Sequence, residues 1–280
     1  MLTDKIQKSI ISFVSIKPRT VQEVAQFIHA NWRTADRYIE KIAEETGSIA
    51  SRTFREGTRG ALKIVFALNA NVSGTEFQER LLQRILQGRT KDDFSPFDIY
   101  QYVDEHKRKA FIELQGEVNI EQDIVKLLRS AKESILIFSG NLSWANAIQG
   151  KTKVVDVLAE TAERIPVKVL TRVDIASLKN ISKVLHINES LGRHAIEMRH
   201  AEQPLRCIVV DGVQARFKEE KIPEVYRKGE LDEKTSIFYD ILDEEWVEWI
   251  RKGFWKMFST AVPAERRIKT LESIKKAKVI

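Results

Sequence analysis

Apolar positions recur every three or four residues through the first hundred residues of this chain; further on, helical stripes alternate with short continuous apolar runs. Ile6, Ile10, Phe13 and Val14 predict a first helix over 3–16, with Pro18 just beyond its end. Thr20 and Glu23 form a capping box ahead of Val21, Val24, Ala25 and Ile28. After the polar His29-Ala30-Asn31 segment, Thr34 offers a hydroxyl cap for another helix, with Ala35, Ile39 and Ile42 along one face. At about 100° per residue, Arg33, Arg37 and Lys41 lie on the opposite side of that helix. Two short helices with a core stripe behind and cations in front suit a helix-turn-helix. A solvated amphipathic hairpin explains the same residues, so the flanking segments must decide.

The next segment predicts a β-hairpin. Gly47 is placed to close the second helix. Two β-prone runs, 49–55 and 61–68, then flank the five-residue turn 56–60. Leu62, Ile64, Phe66 and Leu68 alternate as a core face, while Arg52, Arg55, Arg59 and Lys63 make the hairpin cationic. Three helices plus a basic hairpin describe a winged helix-turn-helix over 1–72, and two cationic elements on one core suit phosphates on both sides of a groove. Trp32, at the turn, is expected to wedge the two helices apart. Residues 73–118 read as a helical connector. One helix spans 76–87, and a second starts at Ser95-Pro96-Phe97-Asp98 and carries Ile99, Val103, His106 and Ala110 at near-heptad spacing. That seam is the expected site of homodimerisation.

From 119 to 280 helices and strands alternate: helix near 120–128, strand 134–139, helix 154–164, strand 166–173, helix 176–188, then strands 195–200, 206–210 and 213–217 with an Asp211-Gly212 turn. Residues 237–239 predict a last strand. Helix 244–258 carries the stripe Trp246, Trp249, Ile250, Gly253 and Met257, widened by Val247, Phe254 and Phe258, which reads as core or subunit packing. The basic segment 266–280 reads as a frayed solvated helix or as an additional nonspecific phosphate contact, the former being expected. The fold class is therefore α/β, in several domains.

Charge refines this picture. The net charge is only +6, but residues 1–72 hold 11 Lys/Arg against 7 Asp/Glu, and residues 73–134 hold 10 against 12. A basic head on another module fits nucleic acid as partner. The single cysteine, Cys207, excludes an internal disulfide, and five scattered histidines without cysteine partners give no zinc pattern. No metal or cofactor is implied. No apolar run of about 18 residues occurs, so neither a membrane partner nor a span is expected, and the expected location is cytoplasmic and chromosome-associated.

Two stretches carry resemblances. NWRTADRYIEKI (31–42) followed by SRTFREGTRGALKIV (51–65) resembles the winged-helix heads of archaeal transcription regulators. The resemblance implies that Arg33, Thr34, Arg37, Tyr38 and Lys41 face the major groove of double-stranded DNA. It places Arg52, Arg55, Arg59 and Lys63 on the backbone or minor groove. QPLRCIVVDGVQARF (203–217) resembles the phospholipase-D-like domain, whose active members carry H-x-K-x-x-x-x-D with a nucleophilic imidazole and a phosphate-steadying lysine. Aligned through Asp211, Arg206 takes the lysine position and Pro204 the histidine position, so the expectation is a protein that is not an enzyme. Winged head, connector and degenerate domain together resemble the TrmB-like regulators. That implies DNA binding, as a repressor or an abundant chromosomal protein, in a homodimer or larger assembly. Sugar-responsive members carry a further C-terminal region, and the roughly 60 residues after Phe217 depart from it, so no effector residues are named. The competing readings are a phosphodiesterase or nuclease, and a winged helix that binds only protein.

Overall fold

The computed structural model describes residues 2–55, 62–68, 75–114, 124–225 and 233–277. The head begins with α1 (Asp4–Ile16), capped by Thr3. A two-residue strand β1 (Arg19–Thr20) leads into α2 (Val21–Phe27), whose capping box is complete. Glu23 accepts from the Thr20 amide at 2.7 Å while its own amide donates to Thr20 Oγ1 at 3.2 Å. His29, with φ 53°, makes the turn into α3 (Trp32–Thr46), and Gly47 closes α3 in the left-handed conformation (φ 59°) that a side chain rarely adopts. The cap of α3 is Asn31 rather than the expected Thr34. Asn31 Oδ1 accepts from the Thr34 amide at 2.8 Å, which starts the helix at Trp32. Ile10, Val14, Val24, Ala35, Ile39 and Ile42 form the centre of the head's core.

Strands β2 (Ile49–Arg55) and β3 (Leu62–Ala67) pair antiparallel, and β1 adds to β3. The expected turn 56–60 lies outside the described residues, as do the connection 69–74 and Ile120. Of β3, Val65 joins the head's apolar core. Leu62 and Ile64 instead join the main core of the second unit, with Phe54 and Phe66 packed against it.

α4 (Thr75–Gln87) follows the expected 76–87 helix. The predicted helix through Ala110 does not form. α5 (Phe97–Tyr100) is a single turn, and from Arg108 the chain is a strand, β4 (Arg108–Leu114). Seven residues of β4 pair in register with seven of a later strand, and that ladder overrides the local heptad spacing. Ile99 and Val103 are buried in the main core and His106 is exposed, so the expected dimer seam does not exist as a helix face.

The remaining elements build an α/β layer. They are α6 (Ile124–Ser130), β5 (Ile135–Ser139), the small ribbon β6 (Ile148–Gln149) and β7 (Thr152–Lys153), α7 (Val154–Arg164), β8 (Val167–Thr171), α8 (Leu178–Leu191), β9 (Ile196–His200), β10 (Cys207–Val210), β11 (Gln214–Lys221), β12 (Thr235–Ile241), α9 (Glu244–Thr260), β13 (Val262–Pro263) and α10 (Ala264–Ala277). Eight strands run in the order β13-β9-β8-β5-β10-β11-β12-β4. β5, β8 and β9 are parallel, and the helices α7 and α8 make their crossovers. β5 explains the continuous run ILIFS. Ile135 and Ile137 face the α6–α7–α8 layer, Leu136 and Phe138 face the α4–α9 layer, and all five residues are buried.

α9 lies between the sheet and α4. Val247, Ile250, Phe254 and Phe258 are buried on the sheet, and Leu82 packs beside Gly253. The aromatic stripe is therefore core. α10 is anchored by Ile268 and Leu271, with Arg266, Lys269 and Lys275 exposed.

Candidate nucleic-acid interface

The recognition-type helix α3 has Ala35, Ile39 and Ile42 fully buried and Arg33, Arg37 and Lys41 exposed. Its first turn holds no acid, and Arg33 and Arg37 stand near its amino end, so charge and helix dipole act in the same sense there. Towards the other end the surface turns acidic, and Lys41 pairs with Glu45 at 3.5 Å. Thr34 is half-buried, engaged through its amide with Asn31. Tyr38 corrects the sequence expectation. It is only 8 % exposed and packs into the head's core, with the Arg37 guanidinium 5.8 Å from its ring centre. A tyrosine one position from Arg37 lies about 100° round the helix, at the edge of the buried stripe rather than on the cationic face. Trp32 is 44 % exposed and wedges nothing; Arg33 lies over its ring at 5.6 Å.

The hairpin differs more from expectation. Lys63 Nζ donates to Asp36 Oδ1 at 2.7 Å and Glu40 Oε1 at 3.0 Å, which ties β3 to α3 and occupies the cation. Those hydrogen bonds outweigh partial burial and hold the Lys63 ammonium above its ordinary pKa. Lys63 therefore braces α3 and does not reach outwards. Arg52 is exposed but lies over Phe54 and Tyr100, at 5.6 and 5.3 Å from the ring centres. The Arg55 side chain and all of Arg59 lie outside the described residues.

One face of the hairpin is covered by its own chain. Phe54 meets Phe97 and Tyr239 edge-on at 6.0 and 6.2 Å, and Phe66 meets Phe97 at 4.9 Å. Polar ties accompany this contact. Arg84 Nη2 donates to the Ile16 carbonyl at 2.9 Å and to Asp98 Oδ2 at 2.8 Å, and Lys17 Nζ donates to the Asp92 carbonyl at 2.5 Å. Burial pushes the Asp98 carboxyl up to about 6, against the pull of Arg84. Because the folded state holds this proton more tightly than the unfolded chain, the stability it contributes is fully present below about pH 4 and is lost as pH rises through about 6. Asp98→Asn is expected to gain about 2–3 kcal/mol relative to the parent between pH 4 and pH 7. Urea unfolding at stepped pH measures the difference, and two parallel profiles would exclude the assignment.

The degenerate motif lies at the edge of a cleft between head and sheet, with a volume of about 700 Å³. Asp211, at φ 52°, turns β10 into β11, and its carboxylate accepts from the amides of Lys132, Glu133 and Ser134. It is a fold-holding residue. Partial burial raises its pKa, but the three amides and Lys132 prevail and hold it below the ordinary value. Pro204 packs beside Gly88, where a Cβ would collide with its ring. Arg206 lines the cleft with Arg172 and Lys218, and no histidine lines it. His200 is turned elsewhere, its Nδ1 accepting from the Val173 amide at 2.9 Å, and burial holds its imidazole below the ordinary pKa. Cys207 is buried and its thiol is pushed well above the ordinary pKa by burial. Among the described residues no cluster of three His, Cys, Asp or Glu is arranged to hold a metal, and no helix is long and apolar enough to cross a membrane.

With this geometry in hand, comparison gives distant likenesses only. No family model matches the chain, and no curated protein matches its sequence. Among solved structures, TrmBL2, an archaeal chromatin protein described as having a novel mode of DNA binding, shares 13 % identity over 92 % of each chain, with a TM-score of 0.41. Nuc, a phospholipase D family member from Salmonella typhimurium, shares 12 % identity over 56 % of this chain and 97 % of its own, with a TM-score of 0.40. NucT from Helicobacter pylori shares 12 % identity over 56 % and 99 %, with a TM-score of 0.38. Likenesses at this level leave the functional reading to the residues.

Of the sequence-predicted interface, the structure brings Arg33, Arg37 and Lys41 together on one exposed face. It withdraws Tyr38 and Lys63, and it sets Arg52 at the contact with the second unit. The cations of the cleft were invisible as a group, because Lys17, Lys91, Arg172, Arg206 and Lys218 come from five separate segments. Only Arg206 was signalled, by its register with Asp211.

Proposed function

We propose that this protein binds double-stranded DNA through α3, as a transcription regulator of repressor type or as a chromosomal protein, and that it catalyses no phosphodiester chemistry. The observation that carries the reading is the division of α3: a fully buried back, and an exposed front with Arg33 and Arg37 at the positive end of the helix dipole. Lys63 supports it indirectly by fixing the helix against the hairpin. Against phosphodiester cleavage stands the chemistry of position 204, where proline supplies no nucleophile and no histidine enters the cleft.

Phosphate-driven duplex binding weakens steeply between about 50 and 200 mM salt. Titration of labelled duplex across that range tests the proposal, and binding that ignores salt overturns it. Turnover of a chromogenic phosphodiester is expected to stay at background. Crosslinking to chromosomal DNA separates the two forms of the reading, with sharp peaks for a regulator and broad occupancy for a chromosomal protein. Two-fold pairing of heads belongs to the same proposal, through a surface other than the 95–110 seam, and light scattering on the same sample reads it.

A further inference from the structure

DNA binding through α3 leaves one residue of that helix without a role. Phe27, Trp32 and Trp255 are the exposed large aromatic side chains among the described residues, at 43, 44 and 40 %. Phe27 stacks on Phe13 at 4.1 Å, and Trp255 meets Phe254 and Phe258 edge-on at 5.8 and 5.7 Å. Trp32 meets no other aromatic ring among the described residues and belongs to none of the three apolar cores. The cap of α3 is Asn31, and the buried stripe starts at Ala35, so neither the start of the helix nor its packing uses the indole. A tryptophan kept open to water gives up one of the largest apolar burials a side chain offers.

Position narrows what the indole meets. Trp32 is the first residue of α3, and helical side chains lean towards the amino end, so the ring stands at the tip, ahead of Arg33 and Arg37. The Arg33 guanidinium lies over the ring, 5.6 Å from its centre, and steadies it while leaving the rest of the residue open. In helix-turn-helix docking the amino-terminal residues of this helix meet base edges in the major groove. An arginine there reads the acceptors of guanine, but the flat side of an indole offers no hydrogen bond. Its match in the groove is apolar. The apolar group that the bases present there is the C5-methyl of thymine.

We propose that Trp32 is a specificity-determining residue that packs on thymine C5-methyl groups, so that preferred duplexes carry thymine where the tip of α3 enters the groove. This rests on the DNA-binding reading and divides the labour within it. Arg33, Arg37 and Lys41 supply attraction to any duplex, and Trp32 supplies a preference among duplexes.

The test is titration of the full chain, at one salt concentration, with an A·T-rich duplex and with the same duplex carrying deoxyuracil for every thymine. The exchange removes the methyl groups and keeps the phosphates and hydrogen-bonding edges. The parent is expected to bind the uracil duplex about 4-fold or more weakly, the value of one methyl buried against a ring. Trp32→Ala is expected to bind the two duplexes equally. Trp32→Phe, which keeps an apolar ring and loses the indole N–H, is expected to retain the preference. A G·C duplex gives the converse arm, since 5-methylcytosine in place of cytosine puts a methyl at the same place in the groove. It is expected to tighten binding of the parent and not of Trp32→Ala. Circular dichroism confirms that each variant is folded. Equal affinity of the parent for the thymine and uracil duplexes overturns the assignment and leaves the DNA-binding reading standing. A loss in Trp32→Ala that is the same on both duplexes also overturns it, and gives the indole to a phosphate or, where light scattering shows a fall in mass, to a contact between copies. Absence of binding to any duplex overturns both readings together.

Discussion

Exchanging Arg33 and Arg37 together for glutamine is expected to weaken duplex binding by about 30- to 150-fold near physiological salt. Each arginine contact to phosphate or base edge is worth about 1–1.5 kcal/mol, and two independent losses multiply as binding constants. Both side chains are exposed and neither forms an ion pair among the described residues, so folding stability is expected to stay within about 0.5 kcal/mol of the parent. The two roles an arginine can play separate in the salt titration. If both meet phosphates, the slope of log K against log salt falls by about two. If one meets a base edge, discrimination between duplex sequences relaxes while the slope changes less. Unaltered affinity in the folded double variant would remove α3 as the reading element.

Asp240→Ala is expected to lower stability by about 3–5 kcal/mol. Asp240 on β12 and Arg216 on β11 are register partners, 6 % and 11 % exposed at their side chains, joined by two hydrogen bonds of 2.6 Å. Removing the carboxylate strands a guanidinium beside a cleft that already holds an excess of cations. Arg216→Met combined with Asp240→Ala removes both charges, and most of the loss is expected to return. Urea unfolding of the two variants measures the contrast. A single variant no worse than the double would show that water in the cleft solvates Arg216 as well as Asp240 does.

How far these features were legible in the sequence depends on the range of the forces that decide them. The capping box at Thr20 and Glu23, the left-handed Gly47 and the Asp211-Gly212 turn are settled within a few residues, and each is present where the pattern placed it. β5 was legible for a related reason, since burial on both faces leaves an unbroken apolar run. The 95–110 segment was misread because its outcome is non-local. Its apolar spacing fits a helix, but the partner strand β12 lies more than a hundred residues away in sequence. Lys63 and Tyr38 failed at the level of side chains. Periodicity separates a buried stripe from an exposed one but does not say which lysine meets Asp36 and Glu40 from another element, nor that a tyrosine at the stripe's edge turns inward. The exposed cationic face of Arg33, Arg37 and Lys41 is the part fixed by helical geometry alone.

Phe54, Phe66, Leu62 and Ile64 spend the hairpin's apolar face on Phe97, Tyr100 and Tyr239 rather than on the head itself. A head detached from the rest of the chain therefore has no water-facing underside: it presents a greasy, aromatic surface that is expected to self-associate. It is not a portable cassette. Transplanting α3 and its hairpin onto another carrier requires taking that aromatic seat along, and the aim of α3 is set by the sheet beneath it and not by the length of the connection.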